Sequence, residues 1–206
     1  RRGRPALHLR YGMPVALNAG NWLYFWPFDL FKELALPKDR LLHIYESCHR
    51  TLSRAHLGQA IDLGARIDAL AQKDVENVCI ASSRLKTGAL MGFATLLGAV
   101  ISASSGRVLS ILDDFGRDLG VALQMFDDLG NAIGKCEPSK RYEDLTLARP
   151  SWVWACAAAS STPRGYQEFL APVRRLPDSD DLETWLADHD IIEQARQSAR
   201  EYLDLS

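Results

Sequence analysis

The sequence has little excess of charge of either sign and few cysteines. Its 206 residues carry a formal net charge of -2, so no broad electrostatic attraction to nucleic acid or to an anionic membrane is expected. The four cysteines are scattered and include no CxxC pair, which favours separate thiols in a reducing compartment over a disulfide framework. We therefore predict a cytoplasmic protein without a nucleic-acid partner, in which any phosphate chemistry depends on local basic residues.

The sequence also lacks a long hydrophobic run. Its longest apolar stretch, residues 88–101, is shorter than the roughly 20 residues that cross a bilayer. This stretch predicts a buried helix, and we expect no transmembrane segment. The chain opens with Arg1-Arg2-Gly3 instead of a methionine or a basic end followed by an apolar segment, so we expect a piece of a longer protein.

Strand-like alternation and internal repeats are missing as well, and apolar residues recur at helical spacing. The pattern predicts helices over 38–66, 74–85, from 88 onward, over 106–133, over 151–160 and beyond 163. We expect residues 82–87 to break or bend the chain, 135–150 to form a loop, and 11–31 to contain a buried helix from about Pro14 onward. The sequence thus predicts an all-α fold and a single domain over 1–206.

Polar residues form a stripe on the helix predicted over 106–133. Four of them occupy positions i, i+3, i+4 and i+7: Gln124, Asp127, Asp128 and Asn131. They project from one face of the helix among apolar neighbours. Two adjacent carboxylates in such surroundings suit a hard cation such as magnesium, which keeps waters and bridges to phosphate. The alternative is an exposed acidic face without a ligand, as we expect for Asp113-Asp114 in the same helix.

Three other motifs are ambiguous when each is taken alone. Gln59 and Asp62 share a face of the helix predicted over 38–66, Lys86-Thr87 lies at the predicted joint, and Lys140 lies in the predicted loop. The ordinary alternatives are a surface hydrogen bond, an Asp62–Arg66 ion pair and solvated side chains.

Taken in order, these motifs resemble a known family. The chain opens with Arg1-Arg2-Gly3, which is followed by Gln59-x-x-Asp62, Lys86-Thr87, Gln124-x-x-Asp127-Asp128 and Lys140-x-x-x-Asp144-Leu145. Over nearly its whole length the chain resembles the trans-isoprenyl diphosphate synthases, the family of the farnesyl- and geranylgeranyl-diphosphate synthases. Five short motifs in the family's order make the resemblance specific, and Arg1 stands where the family's first aspartate-rich motif has just ended.

The resemblance implies a fold and an activity. The fold is a helical bundle around a central cavity, of which this chain would be the C-terminal portion with the N-terminal helices missing. The activity is that of a prenyltransferase, which condenses an allylic prenyl diphosphate with isopentenyl diphosphate and releases pyrophosphate, with Mg²⁺ as cofactor. A homodimer is expected because relatives usually pair.

The resemblance also implies roles for individual residues. Asp127 would bind metal directly, and Asp128 would be a second metal ligand or would orient a metal-bound water. The basic residues that would contact substrate diphosphates are Arg1, Arg2, Lys86 and Lys140. The polar residues that would line the space where the allylic cation forms are Gln59, Thr87 and Gln124. Of these residues, the expected catalytic group consists of Lys86, Thr87 and Gln124.

The chain departs from the family pattern at two places and lacks one motif. Asn131 replaces a usual third aspartate, so we expect a weaker grip on metal because an amide carries no charge. Ala148-Arg149-Pro150 stands where a glycine-lysine pair is common. Because the first aspartate-rich motif is missing, the chain alone is expected to be inactive. A terpene cyclase on the same scaffold and a non-catalytic regulatory subunit remain alternatives.

Overall fold

The computed structural model describes residues 5–134 and 140–204. The chain forms two compact units, which meet in sequence between Leu52 and Ser53. All regular elements among the described residues are helices, and these residues include no strand. The all-α prediction is confirmed.

The first unit contains α1 (Leu7–Tyr11), α2 (Met13–Phe31) and the start of α3 (Lys38–Gly64). Pro14 stands at the beginning of α2, where its missing N–H costs no helical hydrogen bond. The Tyr45 ring stacks on Phe28 at 5.8 Å between ring centroids, and its hydroxyl donates to the Phe28 carbonyl at 2.9 Å. The helix in 11–31 begins as predicted, but its predicted burial is wrong, because Phe31 is the only α2 residue that is buried.

The second unit contains the end of α3, a short 3₁₀ turn and eight further helices among the described residues. Their bounds are Ile67–Ala69 for the turn, α4 Gln72–Ser83, α5 Ala89–Ile101, α6 Gly106–Ala132, α7 Glu143–Thr146, α8 Trp152–Ser160, α9 Pro163–Val173, α10 Asp180–Asp188 and α11 Ile191–Asp204. Residues 152–158 of α8 are all buried, and α8 packs against α4, α6 and α11. The core of this unit therefore surrounds α8.

A π-helical turn, Arg84–Gly88, joins α4 to α5. The chain therefore stays helical from Gln72 to Ile101, where the sequence predicted a break or bend. By length and composition this 30-residue helix could cross a membrane, and a third of its most apolar 18-residue window is buried. The apolar stretch 88–101 is therefore only the second half of a longer helix, and its length alone does not exclude a span. Core helices pass the same test, so the finding is weak evidence for a span.

Glycines allow α5 and the π turn to pack closely against α6. A Cβ atom on Gly120 would lie 2.8 Å from the Gly88 Cα atom, and one on Gly116 would lie 2.2 Å from the Thr95 hydroxyl. Both distances are shorter than real contacts of a Cβ atom, so the two backbones approach each other only because these side chains are absent. This packing brings the second half of α6 against the turn that carries Lys86 and Thr87.

Candidate functional site

The polar stripe predicted on α6 lies at the edge of the core. Asp127 is exposed, whereas the Asp128 side chain is buried and the residue is only 6% exposed. Adjacent residues in a helix point about 100° apart, so one carboxylate faces outward and the other faces α8. The pair is therefore divided between solvent and the protein interior.

Two hydrogen bonds hold the buried carboxylate. Gln124 donates its side-chain amide to Asp128 Oδ1 at 2.8 Å, and the backbone N–H of Trp152 donates to Oδ2 at 2.7 Å. Burial raises the Asp128 pKa to about 7, and both hydrogen bonds oppose that rise because they favour the charged form. Asp128 therefore connects α6 to the start of α8. With a pKa near neutral, its protonation state depends on neighbouring charges.

Gln124 connects this carboxylate to the π turn. Thr87 donates its hydroxyl to Gln124 Oε1 at 2.7 Å, while the Gln124 amide nitrogen donates to Asp128. The Gln124 side chain thus uses an acceptor and a donor at once, which fixes its orientation. Three residues chosen from the sequence, Thr87, Gln124 and Asp128, form one hydrogen-bonded chain.

Lys86 lies beside the end of α3. Its Nζ atom is 2.8 Å from Asp62 Oδ1, and Gln59 donates to Asp62 Oδ2 at 3.3 Å. Gly58 permits this approach, because a Cβ atom there would lie 2.4 Å from the Lys86 backbone nitrogen. The alternative Asp62–Arg66 pair is wrong, since Arg66 bonds instead to Asp68 at 3.1 and 2.9 Å.

A third carboxylate, Asp144, belongs to the same charged group. Burial raises its pKa, Asp62 and Glu143 raise it further, and Arg149 and Lys86 lower it. The charge of Asp144 also raises the pKa of Asp128. The sequence pointed to Asp144 only as a member of the Lys140 motif. Asp144 was not placed among these charges from the sequence, although the motif Lys140-x-x-x-Asp144 already put it near a predicted site residue.

Lys140 lies next to the last turn of α6. Its backbone carbonyl accepts a 2.9 Å hydrogen bond from the Asn131 side-chain amide, and its own side chain is exposed. Arg1 and Arg2, the predicted arginine pair, lie outside the described residues. Three neighbouring segments therefore carry the other predicted site residues: the end of α3 carries Gln59, the π turn carries Lys86 and Thr87, and α6 carries Gln124, Asp127 and Asp128. Lys140 is hydrogen-bonded through its backbone carbonyl to Asn131 of α6.

The available ligands suit a hard cation only in part. Among the described residues, no three His, Cys, Asp or Glu side chains form a group that could hold a metal ion. Asp127 offers an exposed carboxylate, whereas both oxygens of Asp128 already accept hydrogen bonds. Magnesium often binds one or two carboxylates together with waters and substrate phosphates, and Asp127 fits that kind of site better than Asp128.

Known proteins are similar to this chain in sequence and in fold. The chain is 32% identical over 133 residues to geranylgeranyl diphosphate synthase of Sulfolobus acidocaldarius, covering 63% of this chain and 39% of that protein. It is 31% identical over 140 residues to farnesyl diphosphate synthase of Escherichia coli, covering 65% and 46%. The chain thus spans less than half the length of these two relatives.

The structure of geranylgeranyl pyrophosphate synthetase from Pyrococcus horikoshii superimposes with a TM-score of 0.83 at 22% identity. The match covers 98% of this chain and 62% of that one, and at this identity it concerns the fold alone. The sequence model of the polyprenyl synthetase family matches residues 1–187. This chain therefore belongs to the polyprenyl synthetase family.

Proposed function

We propose that this chain is the C-terminal portion of a prenyltransferase domain and carries one side of its diphosphate site. The whole protein would condense an allylic prenyl diphosphate with isopentenyl diphosphate, release pyrophosphate and so lengthen a prenyl chain. The observation that carries this proposal is the hydrogen-bonded chain from Thr87 through Gln124 to Asp128. In the sequence, Lys86 precedes Thr87 in the π turn, and Asp127 precedes Asp128 in α6.

The charges of this site suit the separation of a diphosphate from an allylic cation. Lys86 and Lys140 would hold the leaving diphosphate, and Arg1 and Arg2 would do the same from the start of the chain. Groups that bind the developing negative charge more strongly in the transition state than in the ground state accelerate such a reaction.

Uncharged oxygens would face the cation. The Thr87 and Gln124 side chains are neutral and weakly nucleophilic, and each is held by the other. Together with Gln59, they would stabilise a passing positive charge without trapping it. Asp62 would keep Lys86 in place until a diphosphate arrives, because their ion pair is mostly shielded, with side chains 25% and 13% exposed for Lys86 and Asp62.

The proposed cofactor is magnesium. Asp127 would bind Mg²⁺ directly, and Asp128 would hold a metal-bound water or keep Gln124 in position. When bound, Mg²⁺ would neutralise the diphosphate and make it a better leaving group. We also propose a cytoplasmic location and a homodimer, which follow from the sequence composition and from the family resemblance.

Product analysis tests the proposed activity. The full-length protein that contains this chain is incubated with magnesium, isopentenyl diphosphate and allylic diphosphates of several lengths. We expect longer prenyl diphosphates and released pyrophosphate, and we expect no turnover from the chain by itself. Hydrocarbon formed from the allylic substrate alone would favour a terpene cyclase. Binding of diphosphate without any turnover by the full-length protein would favour a regulatory subunit.

A further inference from the structure

Asn131 contacts the segment that carries Lys140 at two points. Its side-chain amide donates to the Lys140 carbonyl at 2.9 Å, and its backbone carbonyl accepts the Tyr142 N–H at 3.4 Å. The same backbone carbonyl also accepts from Gly134 at 3.3 Å. The side-chain amide and the backbone carbonyl of Asn131 thus both form hydrogen bonds with the chain that follows α6.

We propose that Asn131 is a positioning residue that anchors Lys140 beside the acidic pair, and is no weakened third metal ligand. This inference rests on the proposed function, in which Lys140 binds a diphosphate. Asn131 lies one helical turn after Asp127, so an anchor at this point fixes the loop directly next to the exposed carboxylate. The side chain acts on the substrate through Lys140.

The neighbouring residues support an anchored loop. Arg141 donates to the Ala132 carbonyl at 3.0 Å and forms an ion pair with Glu183 of α10 at 2.9 Å. Tyr142 is buried and has a left-handed backbone with φ 61°. The two residues that follow Lys140 are therefore held in place, Arg141 against the last turn of α6 and α10, and Tyr142 in the protein interior.

The contact requires a hydrogen-bond donor at residue 131, which an amide supplies and an ionised carboxylate does not. A peptide carbonyl only accepts hydrogen bonds, and an ionised aspartate has no donor. Asn131→Asp would therefore place a negative oxygen against the Lys140 carbonyl and break the anchor. The aspartate usual in this family at this position could not donate this hydrogen bond when ionised, whereas the asparagine does.

Hydrogen exchange tests the anchor directly. Exchange of backbone amides in peptides covering residues 140–147 is compared for the wild type, Asn131→Ala and Asn131→Asp. Loss of one hydrogen bond changes an opening equilibrium by about two- to tenfold, so we expect exchange to be faster by that factor in both variants. Asn77→Asp, at an exposed position of α4, adds the same charge elsewhere and is expected to leave the exchange unchanged.

Binding of inorganic diphosphate with magnesium to the full-length protein that contains this chain, measured by calorimetry, tests the connection to Lys140. We expect Asn131→Ala to weaken binding by about three- to tenfold without a change in the magnesium concentration at half-saturation. In a Lys140→Ala background, Asn131→Ala should have no further effect, because residues that act through one group are not additive.

The outcomes separate the two proposals. If the wild-type protein binds diphosphate while Asn131→Asp binds it more tightly at lower magnesium, Asn131 stands at a metal position and the inference is overturned. Unchanged exchange and affinity in Asn131→Ala would overturn it too. If the wild-type protein shows no magnesium-dependent binding, the proposed function itself fails, while faster exchange in the variants would still establish the anchor.

Discussion

The Lys86 Nζ atom lies 2.8 Å from Asp62 Oδ1, and the two residues are 24 positions apart in the sequence. This pair joins the end of α3 to the π turn before α5. It places a positive charge near Asp128 and Asp144, where that charge partly opposes the rise that burial causes in the pKa of each carboxylate. The lysine therefore has a structural role as well as the proposed role in binding.

Two variants separate these roles of Lys86. Lys86→Met keeps the apolar stem but removes the charge, so the mostly buried Asp62 carboxylate loses its ion-pair partner and keeps only the hydrogen bond from Gln59. We expect a loss of about 1–3 kcal/mol in the free energy of unfolding and a loss of diphosphate binding of tenfold or more. Adding Asp62→Asn should restore stability but not binding. Restoration of both properties in the double variant would contradict the proposed contact between Lys86 and the diphosphate.

Glycine packing between the π turn and α6 leads to a second prediction. Gly120→Ala would place a Cβ atom 2.8 Å from the Gly88 Cα atom and 2.9 Å from the Thr87 carbonyl oxygen. Forced overpacking costs about 1–3 kcal/mol, which chemical denaturation would measure. Gly98→Ala is the matched control in α5, because a Cβ atom there meets nothing within 4 Å. The control should be neutral or more stable by up to about 1 kcal/mol; equal losses in both variants would refute the close-packing argument.

The helices α3 and α6 could be predicted because their apolar residues recur at helical spacing. The prediction of 106–133 differs from α6 by a single residue at its end, and 38–66 differs from α3 by two. The continuous helix through residues 82–87 was not predictable, since its polar residues face partners distant in sequence. Lys86 and Thr87 are held by Asp62 and Gln124, so tertiary contacts overrode a local sequence that indicated a joint.

The residues of the candidate site could be chosen from the sequence, but their contacts and burial could not. Sequence spacing placed Asp127 and Asp128 on one face, yet only the structure shows that Asp128 is buried against the Trp152 N–H. That partner lies 24 residues away and is a backbone group, which no side-chain motif reports. Ala148 is a similar case, because its φ of 50° is a conformation that favours glycine. The departure from the family's glycine was visible in the sequence, but its backbone conformation was not.

Burial of Asp128 leads to a prediction about stability and pH. Its folded-state pKa, about 7, lies above the ordinary value of about 4 for an unfolded aspartate. The folded state therefore binds the proton more tightly, and this contribution to stability is complete below pH about 4 and is lost as pH rises through about 7.

Thermal unfolding in the absence of magnesium measures this effect. The wild-type protein should lose stability relative to Asp128→Asn between pH about 4 and 7, because asparagine does not ionise. Asp114→Asn, which changes an exposed aspartate of the same helix, is the control. If the two variants differ from the wild type by the same pH-dependent amount, burial of Asp128 is not the cause.

The exposure of Asp127 leads to the last prediction. Because the Asp127 carboxylate is exposed, its removal should leave the core around Asp128 and α8 intact. Asp127→Ala should therefore keep its helical circular dichroism and its free energy of unfolding within about 0.5 kcal/mol of wild type. Magnesium-dependent binding of inorganic diphosphate should fall at least tenfold, because a direct ligand is lost. Asp114→Ala removes an aspartate from the same helix outside the polar stripe and should bind normally. Retained magnesium-dependent binding in Asp127→Ala would exclude this carboxylate as a ligand and would leave Asp144 as the next carboxylate to test.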